Sequence, residues 1–170
     1  MSVDGAALRA LIDDCERMEM VMRDRMPEVG HIRMEQHVDV LIFEDSDTDA
    51  YVIEQILREH GVRKVVRVDD ANDWERWVGH YQPRVILMDV IMPGKNGFAA
   101  MREIVRHPKF GKIPVVMCSG KQTECDLVWA LKRGAAGYVG KPIQDPANLM
   151  ATVRDAVRKA RHGQRIDLVL

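Results

Sequence analysis

The sequence predicts an α/β domain with a parallel β-sheet, and two observations carry this prediction. From Val38 onward, short apolar or β-branched runs alternate with longer segments whose apolar residues recur at helical spacing. Two of the short runs, residues 85–88 and 113–118, are apolar throughout, as expected of strands buried on both faces. Five strands alternating with five helices favour a doubly wound sheet over residues 37–162, with right-handed crossovers.

The predicted strands and helices follow one another in strict alternation. The strands are the apolar or β-branched runs, and the helices lie between capping and stop residues. The strands are predicted over residues 38–43, 64–68, 85–88, 113–118 and 136–139, and the helices over residues 47–60, 71–80, 98–106, 123–132 and 146–162.

Local signals place the helix ends. Ser46 and Asp49 fit a capping box at the start of the first helix. The third helix ends at His107-Pro108 and the fourth at Gly134. The apolar residues at helical spacing are Tyr51, Val52, Ile56 and Leu57 in the first helix, and Trp74, Trp77 and Val78 on one side of the second.

Two segments lie outside the predicted domain. Residues 1–36 carry apolar residues at the 3-4-3-4 spacing of a coiled coil, over about two heptads. Three interpretations stay open for them: an amphipathic helix packed on its own domain, a homodimer seam through residues 8–22, and disorder. Residues 163–170 form an apolar tail that suits an extra strand, a partner-binding segment or a truncated linker. The coiled-coil positions are Leu8, Leu11, Cys15, Met18 and Met22.

Length and composition exclude several classes of protein. A chain of 170 residues suits one domain with a sizeable core. The net charge of −1 gives no electrostatic reason to expect direct binding to nucleic acid or to an anionic membrane. No apolar stretch approaches the roughly 20 residues of a membrane span, and the N-terminus is a poor secretion signal. The odd number of cysteines, 3, favours reduced thiols and a cytoplasmic location.

Charged and hydroxyl side chains are predicted to meet at one rim of the sheet. They follow four of the five predicted strands, at the point where each strand ends. Ligands bind outside the carboxyl ends of the strands in open parallel sheets. Three carboxylates, a hydroxyl and an ammonium at one rim suit metal binding and phosphoryl chemistry. These residues are Glu44, Asp45, Asp89, Ser119 and Lys141.

The order of these motifs resembles the receiver domains of two-component response regulators. The resemblance covers residues 38–162, and its finer details are similar to single-domain receivers of the chemotaxis and twitching-motility type. It implies a flavodoxin-like sheet with the strand order 2-1-3-4-5. The apolar spacing in residues 1–36 predicts an extra helix before it. The matching residues are Glu44-Asp45, Asp89, Met92-Pro93-Gly94, Asn96-Gly97, Ser119, Lys132-Arg133-Gly134-Ala135, Tyr138 and Lys141-Pro142.

The resemblance implies a role for each residue of the rim. Asp89 would accept a phosphoryl group from a phosphohistidine, while Lys141 and Ser119 would contact the phosphoryl oxygens. Ser119 and Tyr138 would form a switch in which Tyr138 turns from an exposed to a buried position. A cis peptide at Lys141-Pro142 would aim the ammonium. Mg²⁺ would be the cofactor, held by Glu44, Asp45, Asp89 and the main-chain carbonyl of Ile91.

A regulatory function is therefore expected, with no enzymatic activity beyond self-catalysed phosphorylation and dephosphorylation. The partners implied are a sensor histidine kinase or a histidine phosphotransfer protein, and a protein target. Two alternatives stay open: a pseudo-receiver that binds proteins without turning over phosphate, and a receiver fragment of a longer regulator with an output domain.

Rival motifs fail on single residues. The stretch 45–49 invites an EF-hand interpretation, but Ala50 and Ile56 stand where that loop needs Gly and Glu. The Gly-rich signatures of nucleotide binding are missing. A phosphatase of the Asp-x-Asp type needs a second Asp where this chain has Ile91.

Overall fold

The computed structural model describes residues 37–120 and 123–162, and within these ranges five strands alternate with five helices. The strands are β1 (Val40–Phe43), β2 (Val65–Val68), β3 (Val85–Asp89), β4 (Val115–Ser119) and β5 (Gly137–Gly140). The helices are α1 (Asp47–Glu59), α2 (Trp74–Tyr81), α3 (Gly97–Arg106), α4 (Glu124–Lys132) and α5 (Pro146–Arg161).

The strands form one parallel sheet in the order β2-β1-β3-β4-β5. This confirms the predicted fold class and strand order. Since every strand runs in the same direction, the carboxyl ends of all five lie along one edge. β1 and β3 lie side by side near the middle of the sheet, which brings the residues that follow Phe43 close to Asp89.

Helices cover both faces of the sheet, and each face has its own apolar cluster. On one face, α1 and α5 pack through residues such as Leu57 and Leu149. On the other, α2, α3 and α4 pack through residues such as Val78, Ile104 and Ala130. The three central strands are fully buried, as the apolar runs of the sequence predict.

Two of the sequence predictions about helices are wrong in detail. Tyr51 and Val52 are 65% and 39% exposed, and α1 instead packs through Ala50, Ile53, Ile56 and Leu57, because the buried stripe lies one position away from these two residues. The second helix begins at Trp74 rather than at 71. The Asn72 N–H donates to the Asp70 carboxylate there, and this local turn competes with the helix.

The predictions for residues 1–36 and 163–170, including the coiled-coil seam through residues 8–22, lie outside the described residues. No helix in the described part of the chain is long and apolar enough to cross a membrane.

Candidate phosphoryl and metal site at the sheet edge

Three carboxylates converge where β1 and β3 end. Glu44 and Asp45 follow β1 directly, and Asp89 is the last residue of β3. One carboxylate oxygen from each lies within 4.8 Å of the others. Glu44 and Asp89 are buried, at 1% and 5% exposure, whereas Asp45 is exposed. The structure thus brings together the three acidic side chains that the sequence placed at this rim.

The loop from β3 to α3 holds Asp89 in place by close backbone packing. The Gly97 N–H donates to the Val90 carbonyl, and a Cβ at Gly97 would overlap the carbonyl oxygen of Asp89. Asn96 caps α3 by accepting a hydrogen bond from the Phe98 N–H. The Asn96-Gly97 pair of the sequence therefore lets α3 begin directly against the end of β3.

Lys141, which follows β5, joins the carboxylates. Its Nζ lies 2.7 Å from Glu44 Oε2 and 3.1 Å from Asp89 Oδ1. Its main-chain N–H donates to the Ser119 carbonyl, which ties the end of β5 to the end of β4. The Lys141-Pro142 peptide is cis, as the family resemblance implied.

The Lys141 ammonium also contacts Asp49, a carboxylate whose place in the sequence predicts only a helix cap. The distance from Nζ to Asp49 Oδ2 is 2.9 Å. The Ser46 hydroxyl accepts from the Asp49 N–H as predicted, but the Ser46 N–H donates to Glu44 Oε1. The capping box is therefore only half formed, and the Asp49 side chain belongs to the acidic site.

Burial and charge pairing set the protonation of this site. Burial acts to lower the pKa of Lys141, but hydrogen bonds to Glu44 and Asp49 and the charge of Asp89 together raise it above its ordinary value. Lys141 is therefore an ammonium at neutral pH. Burial raises the pKa of Glu44, against the hydrogen bonds from Lys141 and from the Ser46 N–H.

The donor set fits a divalent cation. When all groups are ionised, the four carboxylates exceed the one ammonium by three negative charges. Such an excess in a partly buried site is costly unless a cation offsets it. The donors are all oxygens, which Mg²⁺ prefers, and the exposed Asp45 leaves one side open to the waters that Mg²⁺ retains.

Comparisons with known proteins identify the family of this chain. The model of the response regulator receiver domain matches residues 40–154. The chain belongs to this family. The protein PilH of Pseudomonas aeruginosa is 35% identical over 114 residues, which cover 67% of this chain and 93% of PilH. A receiver is a regulatory phospho-acceptor rather than an enzyme in the metabolic sense.

Solved receiver structures share the fold. The receiver domain of a signal transduction histidine kinase from Syntrophus aciditrophicus has a TM-score of 0.64 at 28% identity, covering 78% of this chain and 99% of that one. The receiver domain of a sensor histidine kinase from Pseudomonas aeruginosa PAO1, with a magnesium ion coordinated in its active-site cleft, has a TM-score of 0.63 at 27% identity, with 72% and 98% covered.

Ser119 and Tyr138 of this receiver are already in contact. Ser119 ends β4 with no exposed surface, and Tyr138 lies half-buried on β5. A hydrogen bond joins their side chains. Burial raises the pKa of Tyr138, and the hydrogen bond with Ser119 partly offsets this rise. The two side chains are thus coupled in this structure, and their role as a switch stays a prediction.

Ile91 is 61% exposed. It follows Asp89 by two positions, in the turn between β3 and α3. Its main-chain carbonyl as a metal ligand stays a prediction.

Proposed function

We propose that this receiver accepts a phosphoryl group on Asp89 and uses it to remodel a protein-binding face. One observation carries the proposal: Asp89 is buried at the carboxyl end of β3, with an ammonium 3.1 Å away and two further carboxylates beside it. An ordinary helix-capping or turn-forming aspartate needs none of these neighbours.

The chemistry is a nucleophilic displacement at phosphorus. A carboxylate oxygen of Asp89 forms the new O–P bond, the P–N bond of the phosphohistidine breaks, and the electron pair stays on the imidazole nitrogen. Lys141 pairs with Asp89 beforehand and with a phosphoryl oxygen afterwards. Ser119 donates to another phosphoryl oxygen. Gly120 beside it is exposed and has open space around its Cα, which leaves room for a donor.

Glu44, Asp45, Asp89 and the Ile91 carbonyl are the proposed Mg²⁺ ligands. The ion supplies charge neutralisation for the transferring phosphoryl group. Both Glu44 oxygens already accept hydrogen bonds, from Lys141 and from the Ser46 N–H. This engagement supports a contact from Glu44 to the ion through water, and makes Asp45 and Asp89 the direct carboxylate ligands.

The switch acts through the hydroxyl of Ser119. When that hydroxyl turns towards a phosphoryl oxygen, its hydrogen bond to Tyr138 is lost or redirected, and Tyr138 settles into a new position. A local charge change thereby biases a side chain with two positions. The face affected carries Leu127, Val128 and Trp129, which are 38–47% exposed on α4. An apolar surface of this kind suits a protein target.

The partners proposed are a histidine kinase or phosphotransfer protein as donor and a protein as target, in the cytoplasm. The family implies the histidine kinase. A homodimer through residues 8–22 rests on the sequence pattern alone.

Intact-protein mass after incubation with acetyl phosphate tests the proposal. We expect one added phosphoryl group that requires Mg²⁺ and is missing in Asp89→Asn. Asp155→Asn, which removes a partly exposed carboxylate on α5, should be labelled like the wild type. Repeated failure to label the wild type would favour a pseudo-receiver, and equal labelling of Asp89→Asn would assign the phosphoryl group to another residue.

A further inference from the structure

The guanidinium of Arg67 holds the loop that presents Glu44 and Asp45. Arg67 lies on the edge strand β2, and its side chain is 20% exposed. Its Nε donates to the Glu44 carbonyl at 2.9 Å, and its Nη2 donates to the Asp45 carbonyl at 3.0 Å. Arg67 thus holds the main chain of two of the three acidic residues of the predicted metal site.

A third hydrogen bond joins Arg67 to the first turn of α1. Arg67 Nη1 donates to Asp47 Oδ1 at 2.6 Å, and the Asp69 carboxylate lies 3.7 Å from Nε. One planar group therefore ties β2 to the loop and to the helix that follows it. Val68, the next residue of β2, also contacts the loop. Its carbonyl accepts a hydrogen bond from the Glu44 N–H.

The side chain of Arg67 is suited to this task in a way that lysine is not. The guanidinium presents several N–H donors in one rigid plane, so it reaches two carbonyls and a carboxylate at once. A lysine at the same position would keep the positive charge, but its single nitrogen could not reproduce the three hydrogen bonds of the planar guanidinium. The three donor nitrogens of Arg67 are matched to two acceptors in the loop and one in the first turn of α1, and this match is geometric rather than merely electrostatic.

From these contacts we infer that Arg67 is a positioning residue for the divalent cation, acting through the main chain of Glu44 and Asp45. This inference rests on the proposed function, since it assumes that these carboxylates bind Mg²⁺. The loop would be held in its metal-binding conformation before the ion arrives, so that binding does not have to order it. Outer groups that orient metal ligands typically change metal affinity by roughly 10- to 100-fold when they are removed.

Arg67 could affect Mg²⁺ binding through its charge or through its geometry, and these two effects predict different Mg²⁺ affinities for variants of Arg67. If only its charge mattered, Arg67→Lys would behave like the wild type, and Arg67→Met would bind Mg²⁺ more tightly because a nearby positive charge is lost. If positioning dominates, both variants bind Mg²⁺ more weakly. The pair of variants therefore separates the two effects.

The experiment is an Mg²⁺ titration followed by amide chemical shifts, on the full chain well below its unfolding temperature. We expect Arg67→Lys to bind Mg²⁺ roughly 10-fold more weakly than the wild type. The matched control is Arg84→Lys, because Arg84 pairs with Asp39 at the opposite edge of the sheet and does not contact the loop. It should bind Mg²⁺ like the wild type.

A second readout needs no metal. In the metal-free protein, the Asp45 and Ser46 amides should exchange with solvent faster in Arg67→Lys than in Arg84→Lys. Unchanged Mg²⁺ affinity and unchanged exchange in Arg67→Lys, with a wild type that binds Mg²⁺, would overturn the inference, even if the variant were less stable. A wild type that does not bind Mg²⁺ would instead overturn the proposed metal site itself.

Discussion

The Asp49 carboxylate lies 2.9 Å from the Lys141 ammonium, close to the 3.1 Å that separates this ammonium from Asp89. Asp49 stands in the first turn of α1, and 37% of its side chain is exposed. In the proposed mechanism, Lys141 must turn to a phosphoryl oxygen. Asp49 therefore competes with the incoming group for the same cation and adds a negative charge beside it.

Asp49→Asn should speed phosphorylation by acetyl phosphate. The substitution frees Lys141 and removes a repelling charge. Partly exposed ion pairs contribute about 0.2–1 kcal/mol, so the gain in rate should be roughly 1.4- to 5-fold. Stopped-time labelling followed by intact mass gives the rate, with Asp155→Asn as the control. A slower Asp49→Asn would mean that Asp49 assists the transfer instead.

Ser119→Ala and Tyr138→Phe should separate the two roles of Ser119. Ser119→Ala removes both the donor to the phosphoryl group and the partner of Tyr138, so phosphorylation should slow by roughly 10-fold or more, the usual weight of a hydrogen bond to a charged group. Tyr138→Phe removes only the tyrosine hydroxyl, and its phosphorylation rate should stay within about two-fold of the wild type. An equal loss of rate in both variants would contradict this division of roles.

Gly97→Ala should destabilise the domain, because a Cβ at this position would overlap the Asp89 carbonyl oxygen. Overpacking of this kind costs about 1–3 kcal/mol, which urea unfolding would measure. Gly120→Ala is the matched control, since a Cβ there meets nothing within 4 Å. Equal stability of the two variants would show that the backbone at Asp89 is less tightly packed than described.

The loop from β3 to α3 should show a pH-dependent contribution from Glu103. Hydrogen bonds from Lys95 and then from Trp74 lower the pKa of Glu103 below its ordinary value of 4.5. A lowered pKa in the folded state means stability that is present above pH 4.5 and is lost as the pH falls through the folded-state pKa.

Glu103→Gln should therefore unfold at a lower urea concentration than the wild type at neutral pH. Because Glu103 is 48% exposed, the difference in free energy of unfolding should be only about 0.2–1 kcal/mol. The difference should shrink in acid, as Glu103 of the wild type becomes neutral. A difference that grows in acid would contradict the assigned direction of the pKa.

The sequence predicts the fold and the central site residues because these depend on local and repeated signals. An apolar run followed at once by Asp89 indicates both a buried strand and an acid at its end. Asp49 and Arg67 escape sequence analysis for a different reason. Asp49 has a plausible local role as a helix cap, and the contacts of Arg67 with residues 44–47 span 20 to 23 positions of the chain. Neither contact leaves a pattern in the sequence.

Trapping of the phosphorylated residue tests the central claim most directly. Borohydride reduces an aspartyl phosphate to homoserine, so treatment of the protein after incubation with acetyl phosphate and Mg²⁺ marks the acceptor for tandem mass spectrometry. We predict homoserine at position 89 and nowhere else. Homoserine at Asp45 or Asp49, or at no position in a protein that nevertheless gains a phosphoryl group, would contradict the assignment of Asp89 as the acceptor.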